Sequence, residues 1–314
     1  VMNKEQSLSP GTLILFGAAV FAMHFGASCM LWPVTWGQQS GSSVYGAMAG
    51  IFITAILFVY CAYIGMVRGE GSFYQLAARL NKKFAFVFGG LTVAVLGPLF
   101  VIPRMSAAAW DAMVQVFNIT TEPLLVIFIF QAVYYLIAYW FMFNQGDILD
   151  KMGKYLVPVL VITVIAVVVK SLLNPMAEMI PKQYPESGFM YGFINGYQTM
   201  DLPAALIYGG VIIANLKAVG QAGKALTKNL LIVCGVGLAM LTSTHLLQML
   251  VGALTGDLFL DVLYAKLYAT VILQLWGTVG GTLFNIALLF AALTSAVGLG
   301  AGAAEYFVEA SEGK

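Results

Sequence analysis

Two apolar stretches carry residues that a continuous membrane helix would avoid. The first, residues 25–33, reads FGASCMLWP and contains Gly26 and Pro33. The second, residues 192–203, reads GFINGYQTMDLP. Glycine costs about 1 kcal/mol and proline about 3 kcal/mol in a helix interior, and lipid cannot satisfy the backbone groups that such residues release. The pattern therefore predicts two interrupted membrane helices, which are typical of a solute-binding site at the bilayer midplane.

The chemistry expected at such breaks follows from the free backbone groups of half-helices. A helix N-terminus carries roughly half a positive charge and unpaired N–H groups, which suit a carboxylate. A helix C-terminus offers unpaired carbonyls, which suit Na⁺. Two breaks can therefore bind a zwitterion and a cation with few charged side chains. Asp201 and His24 are the ionisable residues nearest the predicted midplane. Asp201 is expected to face the protein interior, because a bare carboxylate is costly in lipid.

Other polar side chains inside apolar segments have two interpretations each. His24 and His245 are interpreted as packed, hydrogen-bonded residues, and proton carriage by His24 is the alternative. Thr294 and Ser295 form a hydroxyl pair in the last apolar segment. Such hydroxyls often bond back to the preceding turn, but beside first-helix carbonyls they would also suit Na⁺. The residues alone leave both interpretations of the pair open.

The composition is that of a polytopic all-α membrane protein. Hydrophobic residues make up 61% of the 314 residues and charged residues 9%, whereas soluble domains have roughly 45–50% and about 25%. The net charge of +1 gives no indication of a nucleic-acid partner. The three cysteines match no metal motif. No nucleophile–base or metal-ligand set has usable spacing, which argues against an enzyme.

Helix length sets the expected number of membrane spans. A hydrocarbon core about 30 Å thick needs roughly 20 apolar residues per helix. The sixth candidate span consists of two half-helices around a break at 196–201. Residues 258–280 are too interrupted to span, so we expect an extracellular hairpin of short helices that dips into the protein. The candidate spans are eight: 11–34, 44–66, 84–103, 123–143, 153–173, 190–215, 228–254 and 283–308.

The placement of Lys and Arg predicts the orientation. With the N-terminus in the cytoplasm, eleven of the fifteen basic residues flank the spans on the inner side. The reverse orientation would invert this bias, so both termini are predicted to be cytoplasmic. The four basic residues on the outer side are Arg104, Lys170, Lys182 and Lys266.

Four motifs in order resemble those of the branched-chain amino acid:cation symporters of bacteria, the LIVCS family. The stretch at 25–33 resembles that family's first-helix signature, and GPLFVIPR at 97–104 resembles the end of its third helix. Residues 192–201 resemble its sixth-helix break, and TSAVGL at 294–299 resembles its eighth helix. The resemblance implies a leucine-transporter-like inverted-repeat fold in the bacterial inner (plasma) membrane. It also implies import of leucine, isoleucine and valine with Na⁺, by alternating access around a midplane site.

The resemblance also implies site residues, carried over by position. The aliphatic side chain of the substrate would lie against the third, sixth and eighth spans. No cofactor is implied other than the coupling ion, and the partners are the amino acid, Na⁺ or H⁺, and membrane lipid. The implied substrate contacts are Gly26, Ala27, Ser28, Cys29, Gly196, Tyr197, Gln198 and Thr199. The implied Na⁺ ligands are carbonyls of Ala22, Phe25 and Ala291 and hydroxyls of Thr294 and Ser295.

The chain departs from the family pattern in three respects, one of which is Asn195 at a position where we expect an acidic residue. Ser28-Cys29 stands where the signature has Gly-Asn, which removes an amide side chain from the site. The family has about twelve spans, so we expect one C-terminally truncated transmembrane domain over 1–314, with a complete first repeat at 11–173 and three helices of the second at 190–308. The alternatives are an H⁺-coupled carrier of another neutral amino acid and a non-transporting amino acid sensor that keeps the fold.

Overall fold

The computed structural model describes residues 8–117, 119–121, 123–143, 158, 161–181, 186–262 and 266–311. These residues are almost entirely helical and form no β-sheet; Gly41 and Pro181 make an isolated bridge. The first part of the predicted span 153–173 lies outside the described residues. The helices are α1 (Pro10–His24), α2 (Ala27–Ser40), α3 (Val44–Arg68), α4 (Phe73–Ala78), α5 (Lys82–Val116), α6 (Leu124–Phe143), α7 (Val161–Leu173), α8 (Gly188–Asn195), α9 (Asp201–Ala218), α10 (Gly223–Ala253) and α11 (Leu267–Ala310).

Six of these helices are long and apolar enough to cross a membrane. The pair α1 and α2, bent by 74°, adds a seventh span if it is counted as one. The described part of α7 is apolar but shorter. The protein is therefore a multi-pass all-α membrane protein, and each predicted span overlaps a described helix.

The first predicted break lies at Phe25 and Gly26, not across the whole stretch to Pro33. Helix α2 runs through Pro33 to Ser40, beyond the predicted end of the span. A proline inside a helix leaves the carbonyl four residues earlier without its usual N–H donor. Here that carbonyl belongs to Cys29, and it accepts a hydrogen bond of 3.2 Å from the Gln248 side chain of α10. A neighbouring helix thus replaces the missing backbone donor, which lets α2 continue.

The second break is a short 3₁₀ turn between α8 and α9. The turn covers Gly196–Thr199 and is followed by Met200 in the left-handed region, with φ 57° and ψ 21°. A non-glycine residue in this region is strained, and such strain clusters at functional sites. Asp201 is already the first residue of α9, so the irregular backbone is shorter than the predicted 196–201.

Two long helices differ from their predicted spans. The third predicted span, 84–103, is part of α5, which continues to Val116 across non-helical backbone at Gly97 and Phe100. Helix α11 begins at Leu267 and bends at Gly277, which has φ 67°. Residues in the limb before this bend, including Tyr268 and Ile272, are buried. This part of the predicted hairpin does dip into the protein.

The core is formed where α10 and α11 pack against the two broken segments. Helix α10 packs along both α1 and α2, and α11 packs along α5. Glycines allow the closest approaches: a Cβ at Gly37 would lie 1.9 Å from the carbonyl oxygen of Met249, and a Cβ at Gly252 would lie 1.8 Å from that of Val34. This tight packing holds the first break against the rest of the bundle.

Candidate functional site

A cavity of about 40 Å³ lies between the two breaks. A buried water needs about 10–15 Å³ by this measure, so the cavity in this conformation has room for a few water molecules. The breaks supply its polar lining and three helices supply its apolar walls. The lining residues are Met23, His24, Gly26, Ser28, Cys29, Leu96, Val101, Met105, Thr199, Met200, Asp201, Ala204, Tyr208, Ser295 and Leu299.

The first break contributes a closely packed glycine to the cavity. Gly26 has extended backbone, with φ −91° and ψ −173°, that any residue can adopt. Its importance is steric, because a Cβ there would lie 2.4 Å from the Oγ atom of Ser295 in α11. Directly after it, the first-turn N–H groups of α2, at Ala27, Ser28 and Cys29, have no intrahelical partners and can receive a carboxylate.

A buried hydrogen-bond chain joins the two breaks. Nδ1 of His24, at the end of α1, lies 2.8 Å from Oδ1 of Asp201, at the start of α9. Nε2 of the same ring lies 2.6 Å from the hydroxyl oxygen of Tyr63 in α3. His24 is 4% exposed and Asp201 is also 4% exposed. The sequence-based interpretation of His24 as a packed, hydrogen-bonded residue agrees with this geometry.

Local backbone geometry positions the Asp201 carboxylate. The N–H of Asp201 donates to the hydroxyl of Thr199 over 3.3 Å, and that hydroxyl donates to the carbonyl of Gly196 over 3.1 Å. A carboxylate in the first turn of a helix is stabilised by the helix dipole. The left-handed Met200 turns the chain from the 3₁₀ turn into α9. Asp201 is thereby directed back toward the first break.

Arg104 bridges the two breaks at a second point. One guanidinium nitrogen donates to the carbonyl of Gln198 and another to the hydroxyl of Ser28, both over 3.3 Å. The guanidinium carbon lies 4.7 Å from the ring centre of Trp32. In the sequence Arg104 is an outer basic residue and the last residue of the motif at 97–104, and no site role is assigned to it. Its position just after the Gly97–Phe100 irregularity of α5 is the signal that could have marked it.

The apolar walls come from three separated parts of the chain. Leu96, Val101 and Met105 belong to α5, Ala204 to α9, and Leu299 to α11. These helices correspond to the third, sixth and eighth predicted spans. Such a lining suits an aliphatic side chain, because burying apolar surface is favourable by about 25 cal/mol per Å².

Only some of the predicted substrate contacts line the cavity. Gly26, Ser28, Cys29 and Thr199 do, whereas Ala27 is buried beside them.

The other three predicted contacts, Gly196, Tyr197 and Gln198, lie in the second break and do not line the cavity. A Cβ at Gly196 would meet the hydroxyl of Thr54 in α3 at 2.0 Å. Tyr197 is 45% exposed, and its ring lies against Phe58 and Phe193. The side-chain amide of Gln198 donates to the side chain of Asn195, and the backbone carbonyl of Gln198 accepts from Arg104.

The predicted Na⁺ ligands lie around the end of α1 and the facing part of α11. The N–H of Gly26 donates to the carbonyl of His24 over 2.8 Å, so it does not take the carbonyl of Ala22 one turn back. Ser295 faces Gly26 at the cavity wall. The Thr294 hydroxyl bonds back to the carbonyls of Ala291, at 3.0 Å, and Phe290, at 3.1 Å. Of the predicted Na⁺ ligands, the Ser295 hydroxyl therefore faces the first break, whereas the Thr294 hydrogen is used within its own helix.

His245 differs from the interpretation of a hydrogen-bonded core histidine. It is 1% exposed and packs edge-to-face against Trp36, with ring centres 6.3 Å apart. Among the described residues, neither of its ring nitrogens has a hydrogen-bond partner. It is packed as expected but has no polar partner from the described protein atoms.

The sequence model of the family described as "Branched-chain amino acid transport protein" matches residues 10–313. Among curated relatives, the branched-chain amino acid permease BrnQ of Bacillus subtilis is 29% identical, over 98% of this chain and 71% of its own length. The permease BraB of the same organism is 26% identical, over 96% of this chain and 69% of its own length. BrnQ of Escherichia coli is 28% identical, over 95% of this chain and 68% of its own length.

A solved structure has a similar fold. The crystal structure of MhsT in complex with L-phenylalanine superposes with a TM-score of 0.56, at 17% identity, over 98% of this chain and 75% of that one. MhsT has the leucine-transporter fold, and this chain has the same fold. The relatives are named as permeases and carriers, which are not enzymes. With the match over residues 10–313, these findings show that the chain belongs to the branched-chain amino acid transport protein family.

Proposed function

We propose that this protein imports branched-chain amino acids across the bacterial inner membrane, coupled to Na⁺, by alternating access. The observation that carries the proposal is the cavity between the two helix breaks, which combines polar backbone and side-chain groups with aliphatic walls. The relatives named as branched-chain amino acid permeases support leucine, isoleucine and valine as the substrate class.

The first break suits the polar end of such a substrate. Its carboxylate would meet the first-turn N–H groups of α2, and its side chain would contact Leu96, Val101 and Leu299. In this conformation the cavity is smaller than leucine, so ligand entry requires the walls to move apart. Arg104 and the His24–Asp201 pair each connect the two breaks and would hold them in the closed arrangement.

Na⁺ coupling is part of the proposal because the Ser295 hydroxyl of α11 faces Gly26, directly after the C-terminal end of α1. Ala22, Phe25 and Ala291 would contribute carbonyls, and Thr294 and Ser295 hydroxyls. When bound there, Na⁺ would neutralise the partial negative charge at the C-terminus of α1. It would also join α1 to α11, and an ion that binds one conformation better shifts the population toward it.

The experiment is leucine binding and uptake by the purified chain in Na⁺ and in choline. Binding in Na⁺ that falls at least about tenfold in choline is the expected result, since allosteric coupling typically amounts to 5–150-fold. Uptake that persists in choline and follows a pH gradient would favour H⁺ coupling. Binding without uptake would favour the sensor alternative. A competition panel of neutral amino acids would identify the substrate, and failure of leucine, isoleucine and valine to compete would contradict the assigned class.

A further inference from the structure

Asp201 has one carboxylate oxygen that the described protein leaves unsatisfied. Its Oδ1 atom pairs with His24, but among the described residues its Oδ2 atom has no hydrogen-bond partner. The residue is 4% exposed and lines the cavity between the breaks. A buried polar atom without a partner loses the full free energy of hydration. An unpartnered carboxylate oxygen on a cavity wall is therefore placed to accept a hydrogen bond from a donor that enters the cavity.

The hydrogen-bond chain is compatible with an ionised Asp201 carboxylate. The buried phenol of Tyr63 has one hydrogen to donate, and Nε2 of His24 lies 2.6 Å from its oxygen. In the arrangement in which the Tyr63 hydroxyl donates to Nε2, the ring hydrogen of His24 is on Nδ1 and donates to Oδ1 of Asp201. In this arrangement the imidazole is neutral and Asp201 is an anion. A buried anion is stable only when a cation or several donors compensate it.

The cavity wall has the polarity of a zwitterion. Ser28 lies beside the first-turn N–H groups of α2, and its hydroxyl accepts from the Arg104 guanidinium. The first-break side of the cavity therefore favours a negatively charged group of the ligand. Asp201 lies on the second break and favours a positively charged group of the ligand. The cationic group best matched to Asp201 in an amino acid carrier is the α-ammonium.

We propose that Oδ2 of Asp201 binds the α-ammonium group of the amino acid, and that His24 and Tyr63 position this carboxylate. The inference rests on the proposed function and adds to it a side chain that selects amino acids over uncharged or deaminated analogues. The ammonium supplies three donors, and a charge-assisted hydrogen bond is about twice as strong as a neutral one.

The test compares leucine with 4-methylpentanoate, which is leucine without its amino group, in the wild type and in Asp201→Asn. The asparagine keeps the size of the side chain and an oxygen that can accept from His24. We expect leucine affinity to fall at least about 30-fold, because the variant loses the charge of a buried pair. Affinity for 4-methylpentanoate should stay within about threefold, because that ligand makes no contact with the carboxylate. Asp111→Asn is the matched control, since Asp111 pairs with Lys266 at 3.4 Å and does not line the cavity.

Each outcome has a defined meaning. Equal weakening of both ligands would overturn the assignment and make Asp201 a structural residue. Unchanged leucine affinity would overturn it too, as would loss of Na⁺ dependence without discrimination between the ligands. Absence of leucine binding in the wild type would overturn both this inference and the proposed function.

If Asp201→Asn does not yield folded protein, Asp201→Glu serves instead. It keeps the charge but displaces it, so leucine should bind about tenfold more weakly, with 4-methylpentanoate unaffected.

Discussion

At the scale of single residues, the site depends on side chains that reach between the two breaks. Arg104 donates to Ser28 on one side and to Gln198 on the other, while Trp32 packs against its guanidinium plane. The planar fork of arginine can hold two acceptors at once, whereas lysine offers one point charge on a flexible stem. The identity of this residue, and not only its charge, should therefore matter.

Arg104→Lys tests this bridge. We expect leucine affinity to fall about tenfold, because lysine keeps the charge but loses one of the two contacts and the flat stacking surface. Equilibrium binding in Na⁺ measures the change. Arg68→Lys, the same substitution at the end of α3, is the control and should bind leucine as the wild type does. Wild-type affinity in Arg104→Lys would show that the bridge does not stabilise the bound state.

The hydroxyl pair of α11 gives a second prediction at this scale. Thr294→Ala with Ser295→Ala should weaken Na⁺ dependence at least about tenfold. Folded yield should change little, because among the described residues the Thr294 hydroxyl bonds within its own helix. Most of the effect should come from Ser295, which faces Gly26. Leucine binding titrated with Na⁺ measures the loss of Na⁺ dependence and the share of it that comes from Ser295. A folded double variant with wild-type Na⁺ affinity would contradict the proposed ion site.

At the scale of helices, the bundle compensates for the irregularities that the site needs. Pro33 lies inside α2, and the carbonyl of Cys29 that it frees is satisfied by Gln248 of α10. The contact is buried, with Gln248 0% exposed. The proline and the glutamine therefore act as a pair across two helices, and their effects on stability should be coupled.

A double-mutant cycle measures this coupling. Gln248→Met removes the donor at similar volume and should lower stability by about 1–3 kcal/mol, because the Cys29 carbonyl is left unpaired. In a Pro33→Ala background the restored N–H of residue 33 can bond to that carbonyl. Gln248→Met should then cost at least about 1 kcal/mol less. Thermal unfolding of the four purified proteins gives the comparison, and additive effects would mean that the two residues act independently.

At the scale of the whole molecule, the fold is that of a leucine-transporter-like carrier and its orientation is a prediction. Eleven of fifteen basic residues lie on the predicted inner side. The loop between α7 and α8, which contains Glu178, is predicted to be outside, and the start of α10, which contains Lys224, inside. The division into inverted repeats at 11–173 and 190–308 also stays a prediction.

Cysteine labelling in intact cells tests the orientation. In a Cys61→Ala background the two remaining native cysteines, Cys29 and Cys234, are buried. A membrane-impermeant maleimide should then label Glu178→Cys in intact cells and Lys224→Cys only after permeabilisation. The parent with Cys61→Ala alone is the control for background labelling. The opposite pattern would place both termini outside the cytoplasm.

Much of the architecture could be predicted from the sequence because it depends on local composition. Glycine and proline in two apolar stretches indicated both breaks, and apolar length indicated where the membrane helices lie. The errors were local too. The first break is confined to Phe25 and Gly26, because Gln248 lets α2 continue through Pro33. Tyr197 lies on an exposed face, because the 3₁₀ turn points it toward Phe58.

The sequence by itself determined the class of protein, the helix positions and the two irregular segments, since hydrophobicity and helix propensity are properties of neighbouring residues. The tertiary structure alone decided which side chains meet. His24 and Asp201 are 177 residues apart, and Gln248 and Cys29 are 219 apart. Such contacts depend on the bend between α1 and α2, the left-handed turn at Met200 and the close packing at glycines. Apolar periodicity places a residue on a helix face but carries no information on which distant helix that face will contact.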